Sequence, residues 1–167
     1  MGMKAMLLGL AGAAAMLSGC ATTGTAPAGQ APAYYVMRHL QKGEGGSDPA
    51  LSAEGAANAQ RLLAWFEGRA KPQAIYVSPT RRARETAAPL AANLGLTPKE
   101  YNPGDTAALL ARVRSETGSV LVVGHSNTVP DIVAGLGGTR PAPLSDSDYG
   151  AVWVVAKAGG ATEQLGL

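Results

Sequence analysis

Both histidines of the chain stand directly after short apolar runs. Tyr34-Tyr35-Val36-Met37 ends in Arg38 and His39, and Val120-Leu121-Val122-Val123-Gly124 ends in His125. A third run, Ala74-Ile75-Tyr76-Val77, is followed by Ser78-Pro79-Thr80-Arg81-Arg82. A neutral imidazole can attack phosphorus and hold the phosphoryl group covalently, which divides one difficult displacement into two easier ones. The transferred group spreads negative charge over three oxygens, so the cations and donors placed around it supply the stabilisation. His39 as nucleophile, with Arg38, Arg82 and His125 as phosphate-binding groups, has the residue types for this chemistry. Metal ligation by the two histidines is disfavoured, because no acidic or thiolate partner sits at suitable spacing. No cofactor is expected.

These side chains meet only if the elements that carry them are neighbours. An apolar run of four to six residues closed by polar ones reads as a buried strand that delivers its last residues to a sheet edge, where open α/β sheets bind ligands. Between the runs the pattern is helical. Ser52 caps a helix through Trp65 with Glu54 in its first turn, and Ala56, Ala59, Leu62, Leu63 and Phe66 recur on one face. Ser78 or Thr80 caps the next, with Ala83, Ala87, Leu90 and Leu94 inward and Gly95 as its stop; Pro89 should kink or break it. Thr97 to Tyr101 reads as a short edge strand, and Asp105 caps a helix from Thr106 to Ser115. A last helix starts near Ser126 or Asn127 with Pro130 in its first turn, and Ala151 to Val155 is the final buried strand. Strands alternating with helices predict a three-layer α/β/α sandwich with a mostly parallel sheet.

The 167 residues, 46% hydrophobic and 16% charged, suffice for one well-buried domain. Net charge is +2, and Lys4 falls in the leader described next, so 13 basic residues remain against 12 acidic ones. With 5% aromatic residues and no basic stripe, the chain carries no electrostatic or stacking footprint for nucleic acid.

Residues 1–19 read as a signal peptide, with Lys4 as its positive start and Ala5 to Leu17 as an apolar stretch too short to span a bilayer. Leu17-Ser18-Gly19-Cys20 resembles the lipobox of bacterial lipoproteins, in which the cysteine is lipidated after cleavage. Cys20 is the chain's one cysteine, so no internal disulfide is available to it. Acyl chains at Cys20 would anchor the protein to a membrane. Ala21 after the cysteine resembles lipoproteins sorted to the outer membrane, which implies a periplasmic face. Residues 20–33, rich in Ala, Thr, Gly and Pro, read as a flexible tether, and residues 34–167 as the folded domain.

Three motifs together resemble the histidine phosphatase superfamily, in its phosphoglycerate-mutase-like branch nearest the small SixA-type phosphatases. Met37-Arg38-His39-Leu40 is similar to the family's R-H-G signature, Ser78 to Ala87 to S-P-x-x-R-A-x-Q-T-A, and Val122-Val123-Gly124-His125-Ser126 to G-H-[GS]. Leu51-Ser52-Ala53-Glu54-Gly55 resembles the family's L-[ST]-x-x-G helix start. The resemblance runs in order from about Tyr35 to Val155. It implies His39 as nucleophile, Arg38 and Arg82 as phosphate ligands, His125 as the second histidine, and a small phosphorylated substrate. Leu40 replaces the small residue after the nucleophile, where it would crowd the pocket floor or change backbone freedom, and Glu85 replaces the usual glutamine on a helix face. Asp105 is the candidate general acid as well as a helix cap, with Glu44 and Asp48 on the rim loop as alternatives. The expectation is a metal-independent phosphatase working through a phosphohistidine. Its rivals are a non-catalytic lipoprotein that binds phosphate or a phosphoprotein at the same rim, and an envelope-structure lipoprotein that uses the domain as scaffold.

Overall fold

The computed structural model describes residues 1–2 and 31–167. Residues 3–19 of the leader, Cys20 and most of the tether lie outside the described residues. Ten elements follow in order: β1 (Ala33–Arg38), α1 (Ala53–Trp65), β2 (Pro72–Val77), α2 (Arg81–Leu94), β3 (Lys99–Glu100), α3 (Thr106–Ser115), β4 (Ser119–Gly124), α4 (Val129–Gly135), β5 (Ala151–Ala156) and β6 (Thr162–Gly166). They form one six-stranded sheet in the order β3-β2-β4-β1-β5-β6.

β1 and β4 are buried along their whole length, which is why they are apolar on successive residues instead of alternate ones. Tyr35, Met37, Leu121 and Val123 point to the layer that holds Ala59, Leu62, Ala87 and Leu90 of α1 and α2. Tyr34, Val36, Val120 and Val122 point to the layer that holds Leu109 and Val113 of α3 and Ile132 and Val133 of α4. The three layers are therefore those expected.

The sheet is mixed, not mostly parallel. β1, β4, β2 and β3 pair in parallel, whereas β5 is antiparallel to β1 and β6 antiparallel to β5. The cause is the loop after α4. It climbs back to the rim, where Ser145, Asp148 and Tyr149 meet Arg38, so β5 has to start at the rim and run down, placing Val152 beside Met37 and Ala156 beside Ala33. A turn through Gly159 and Gly160, both at positive φ, then folds β6 back along β5. Sequence pattern did not reveal β6, because Thr-Glu-Gln-Leu-Gly on a partly exposed edge has no apolar run.

Local chemistry explains the helix starts. Ser52 caps α1 by accepting from Gly55 N–H, and a Cβ at Gly55 would sit 2.1 Å from the Gln41 carbonyl. Only glycine lets the strand-to-helix connection lie that close. Asp105 caps α3 by accepting from Ala108 N–H. Thr80 occupies the cap position of α2 without a side-chain cap bond; the Asp48 carboxylate, from the rim loop, accepts from Arg81 N–H instead. α2 continues through Pro89 without the break that was one of the two outcomes expected there.

Candidate active site

Register brings the two histidines together. β1 and β4 are adjacent, with Arg38 opposite Gly124, and His39 N–H donates to the Gly124 carbonyl at 2.9 Å. The residue after each strand therefore lands on the same edge, and the rings of His39 and His125 stand 5.2 Å apart. β2 flanks β4 on the other side, with Val77 opposite Val123, which sets Ser78 beside His125 and the first turn of α2 beside His39.

The tautomer of His39 follows from its partners. Nδ1 lies 2.8 Å from the Leu40 carbonyl, an acceptor only, so Nδ1 carries the proton. Nε2 is then unprotonated and accepts from Arg82 Nε at 3.1 Å. Burial lowers the His39 pKa from 6.5 to about 4, with the charges of His125, Arg82 and Arg38 adding to it and the Leu40 carbonyl opposing it. At neutral pH Nε2 presents a lone pair beside a guanidinium. His125 Nε2 is 2.8 Å from Ser78 Oγ, and burial, then Arg82 and Arg38, lower its pKa to about 4 as well. Gly124 is confined by Thr128 Oγ1, which would meet a Cβ at 2.9 Å; that same hydroxyl accepts from His125 N–H.

Arg38 is 4% exposed. Its Nη1 donates to the carbonyls of Ser145 (2.6 Å) and Asp148 (3.2 Å), its Nη2 to Tyr149 Oη (3.3 Å), and Asp146 lies 3.8 Å away. The Tyr149 ring stacks on the guanidinium at 4.2 Å. Arg38 Nε is buried with no partner among the described residues, a state that costs about 1–3 kcal/mol and that an oxyanion acceptor would relieve. Arg82 is further paired with Asp48 at 3.5 Å. Arg81 and Arg84 are exposed and pair with Glu85 and Glu100.

The other candidates are held as follows. Leu40 is fully buried in the core beneath α1 and α2, and it has no positive φ, so its side chain leaves the pocket floor clear. Its N–H donates to Thr86 Oγ1, which donates in turn to the Arg82 carbonyl. Thr86 thus clamps the nucleophile's loop to α2. Glu85 accepts from Leu51 N–H and from Arg81 Nε, both at 2.7 Å, and so fastens the end of the rim loop. The Asp105 carboxylate is engaged by Ala108 N–H at 2.9 Å, and none of its hydrogen bonds or ion pairs reaches His39, Arg82 or His125. Asp48, by contrast, reaches Arg82 directly. Ser78, Thr86 and Tyr149 were not selected from sequence; the first two lie inside the arginine motif, where their spacing was the available signal.

Residues 34–104 match the family model described as "Histidine phosphatase superfamily (branch 1)". The fold is similar to that of the protein histidine phosphatase SixA complexed with tungstate (TM-score 0.62, 23% identity, covering 80% of this chain and 96% of that one). It is also similar to the "putative phosphohistidine phosphatase SixA from Agrobacterium tumefaciens" (0.60, 16%, 81% and 99%) and to the mycobacterial glucosyl-3-phosphoglycerate phosphatase (0.59, 17%, 74% and 89%). No curated protein matches the chain. The burial of the His39–His125 contact has a measurable consequence. The unfolded chain takes up protons at both histidines near 6.5, whereas the folded chain keeps them neutral down to about 4. Stability is therefore expected to fall as pH drops from 6.5 toward 4 and, for these two groups, to level off below. Urea midpoints across that window should show a smaller fall in His125→Asn than in the parent chain.

Proposed function

We propose that this protein is a phosphatase that hydrolyses a phosphomonoester or a phosphohistidine through a covalent phosphohistidine at His39, by chemistry that draws on no metal. The observation that carries the reading is the unprotonated Nε2 of His39, fixed by the Leu40 carbonyl on one side and faced by Arg82 on the other. Nε2 attacks phosphorus with its lone pair as the bond to the leaving atom breaks, and that atom departs with the electron pair and takes a proton from solvent at the open rim. Arg82, Arg38 and His125 surround the developing charge on the equatorial oxygens. The phosphorylated ring is cationic apart from its phosphoryl charge, and the Leu40 carbonyl accepts its remaining Nδ1–H. Water then attacks phosphorus, the N–P pair returns to Nε2, and the water proton leaves with inorganic phosphate or solvent. The tungstate bound by the structurally similar SixA is a tetrahedral oxyanion and supports the same geometry of ligand.

Incubation with a labelled phosphate ester followed by a quench that preserves phosphoramidates is expected to leave label on His39. Turnover without such label, or label on another residue, overturns the covalent mechanism.

The same proposal anchors the domain through Cys20 on the periplasmic side of the outer membrane, on the strength of the leader and the Leu-Ser-Gly-Cys junction. Cys20→Ser is expected to move the protein from the membrane fraction to the soluble one; a distribution unchanged by the substitution removes the anchor.

A further inference from the structure

Beside the reacting centre lies a second recess. A cleft of about 410 Å³ opens between the two rim loops, lined by Lys42, Glu44, Pro49, Asp146, Tyr149 and the glycines of the first loop. Tyr149 belongs to both places: its ring is 5.9 Å from His39 and stacks on Arg38. A phosphoryl group held at His39 therefore has Tyr149 as the wall between it and the cleft, and the rest of the ester has this recess to occupy. The flat faces of Tyr149 and Pro49 suit an uncharged group. The charges around them are uneven. Among the residues that line the cleft Lys42 is the one cation against Glu44 and Asp146, and Asp146 also lies 3.8 Å from Arg38 of the neighbouring phosphate pocket.

We propose that this cleft is the leaving-group subsite, and that Glu44 and Asp146 make it select phosphomonoesters whose leaving group is neutral or cationic against those that carry a second anionic group. The inference rests on the phosphatase reading above and adds the substrate class. The phosphoryl dianion is drawn to the guanidiniums, while a carboxylate or second phosphate on the leaving group meets like charge at short range. Glu44 and Asp146 are both exposed, so this repulsion is screened by salt.

The test compares phenyl phosphate with 4-carboxyphenyl phosphate, whose phenolate is intrinsically the better leaving group. In the parent chain kcat/KM is expected to favour the phenyl ester by about tenfold at low salt, and the ratio should collapse toward one in about 0.5 M salt. The double variant Glu44→Gln with Asp146→Asn should lose most of the discrimination, read as the same ratio, so any effect common to both substrates cancels. Dissociation constants of the two esters on the His39→Ala protein give the same comparison without turnover. A ratio near one in the parent chain, or a ratio that the double variant leaves unchanged, overturns the inference while leaving the phosphatase reading intact. Discrimination in binding with no turnover of either ester supports the subsite and removes the phosphatase reading; failure of both esters to bind overturns the two together.

Discussion

His39→Ala is expected to lower kcat for a phosphate ester by at least about 10⁴-fold, because no other side chain in the site offers an unprotonated nitrogen where phosphorus would be attacked. Both nitrogens of His39 are committed in the resting site, Nδ1 as donor to Leu40 and Nε2 as acceptor from Arg82. His125 cannot substitute, since its backbone is fixed at the end of β4, with its N–H donating to Thr128 Oγ1. The substitution should spare the fold. The β1–β4 register rests on backbone pairing, Leu40 stays in the core, and its N–H remains bound to Thr86. The expected cost is about 1–3 kcal/mol, within the ordinary range for a buried substitution. Circular dichroism and a urea melt establish folding, and steady-state kinetics with a phosphate ester give the loss. Activity above about one per cent in a folded variant would eliminate His39 as nucleophile.

What made this site legible was the coincidence of two signals, a continuous apolar run and a charged or titratable residue at its end. β1 and β4 are buried on both faces, so their sequences had no polar alternation to obscure them. The contact between His39 and His125 is expected only if the strands that carry them are neighbours; the register of β1 against β4 supplies that condition, and register is a tertiary property. The mixed sheet differs from the mostly parallel one expected for a related reason. The residues of β5 are those of a buried strand in either direction, and only the loop that returns to Arg38 decides which end comes first. Leu40 and Glu85 look like departures in a motif, yet one fills the core and the other ties Leu51 to α2. Asp48 and Tyr149 sit in Gly-rich and Pro-rich loops, where composition predicts a turn but assigns no partner; their contacts with Arg82 and Arg38 come from loop closure over the rim.

Arg82→Ala is expected to reduce kcat/KM by about 10²–10³-fold, and Arg82→Lys to restore less than about tenfold of that. In the resting site its Nε donates to His39 Nε2 and its Nη1 lies 3.5 Å from Asp48, so the planar fork is held with one edge against the nucleophile. When an oxyanion enters, that edge is the nearest cation to the attacking nitrogen. A lysine ammonium supplies charge at a point but cannot keep two donors in a plane. The helix that carries Arg82 does not depend on the side chain, because Asp48 still accepts from Arg81 N–H and Ala83, Ala87 and Leu90 still face the core. The pH profile separates a role at the reacting centre from a structural one. Arg82 is among the charges that depress His39, after burial and His125, so removing it should move the acidic limb of kcat/KM upward from about 4 toward the ordinary histidine value. A loss of activity with the limb unmoved would mean that Arg82 acts only through the shape of α2.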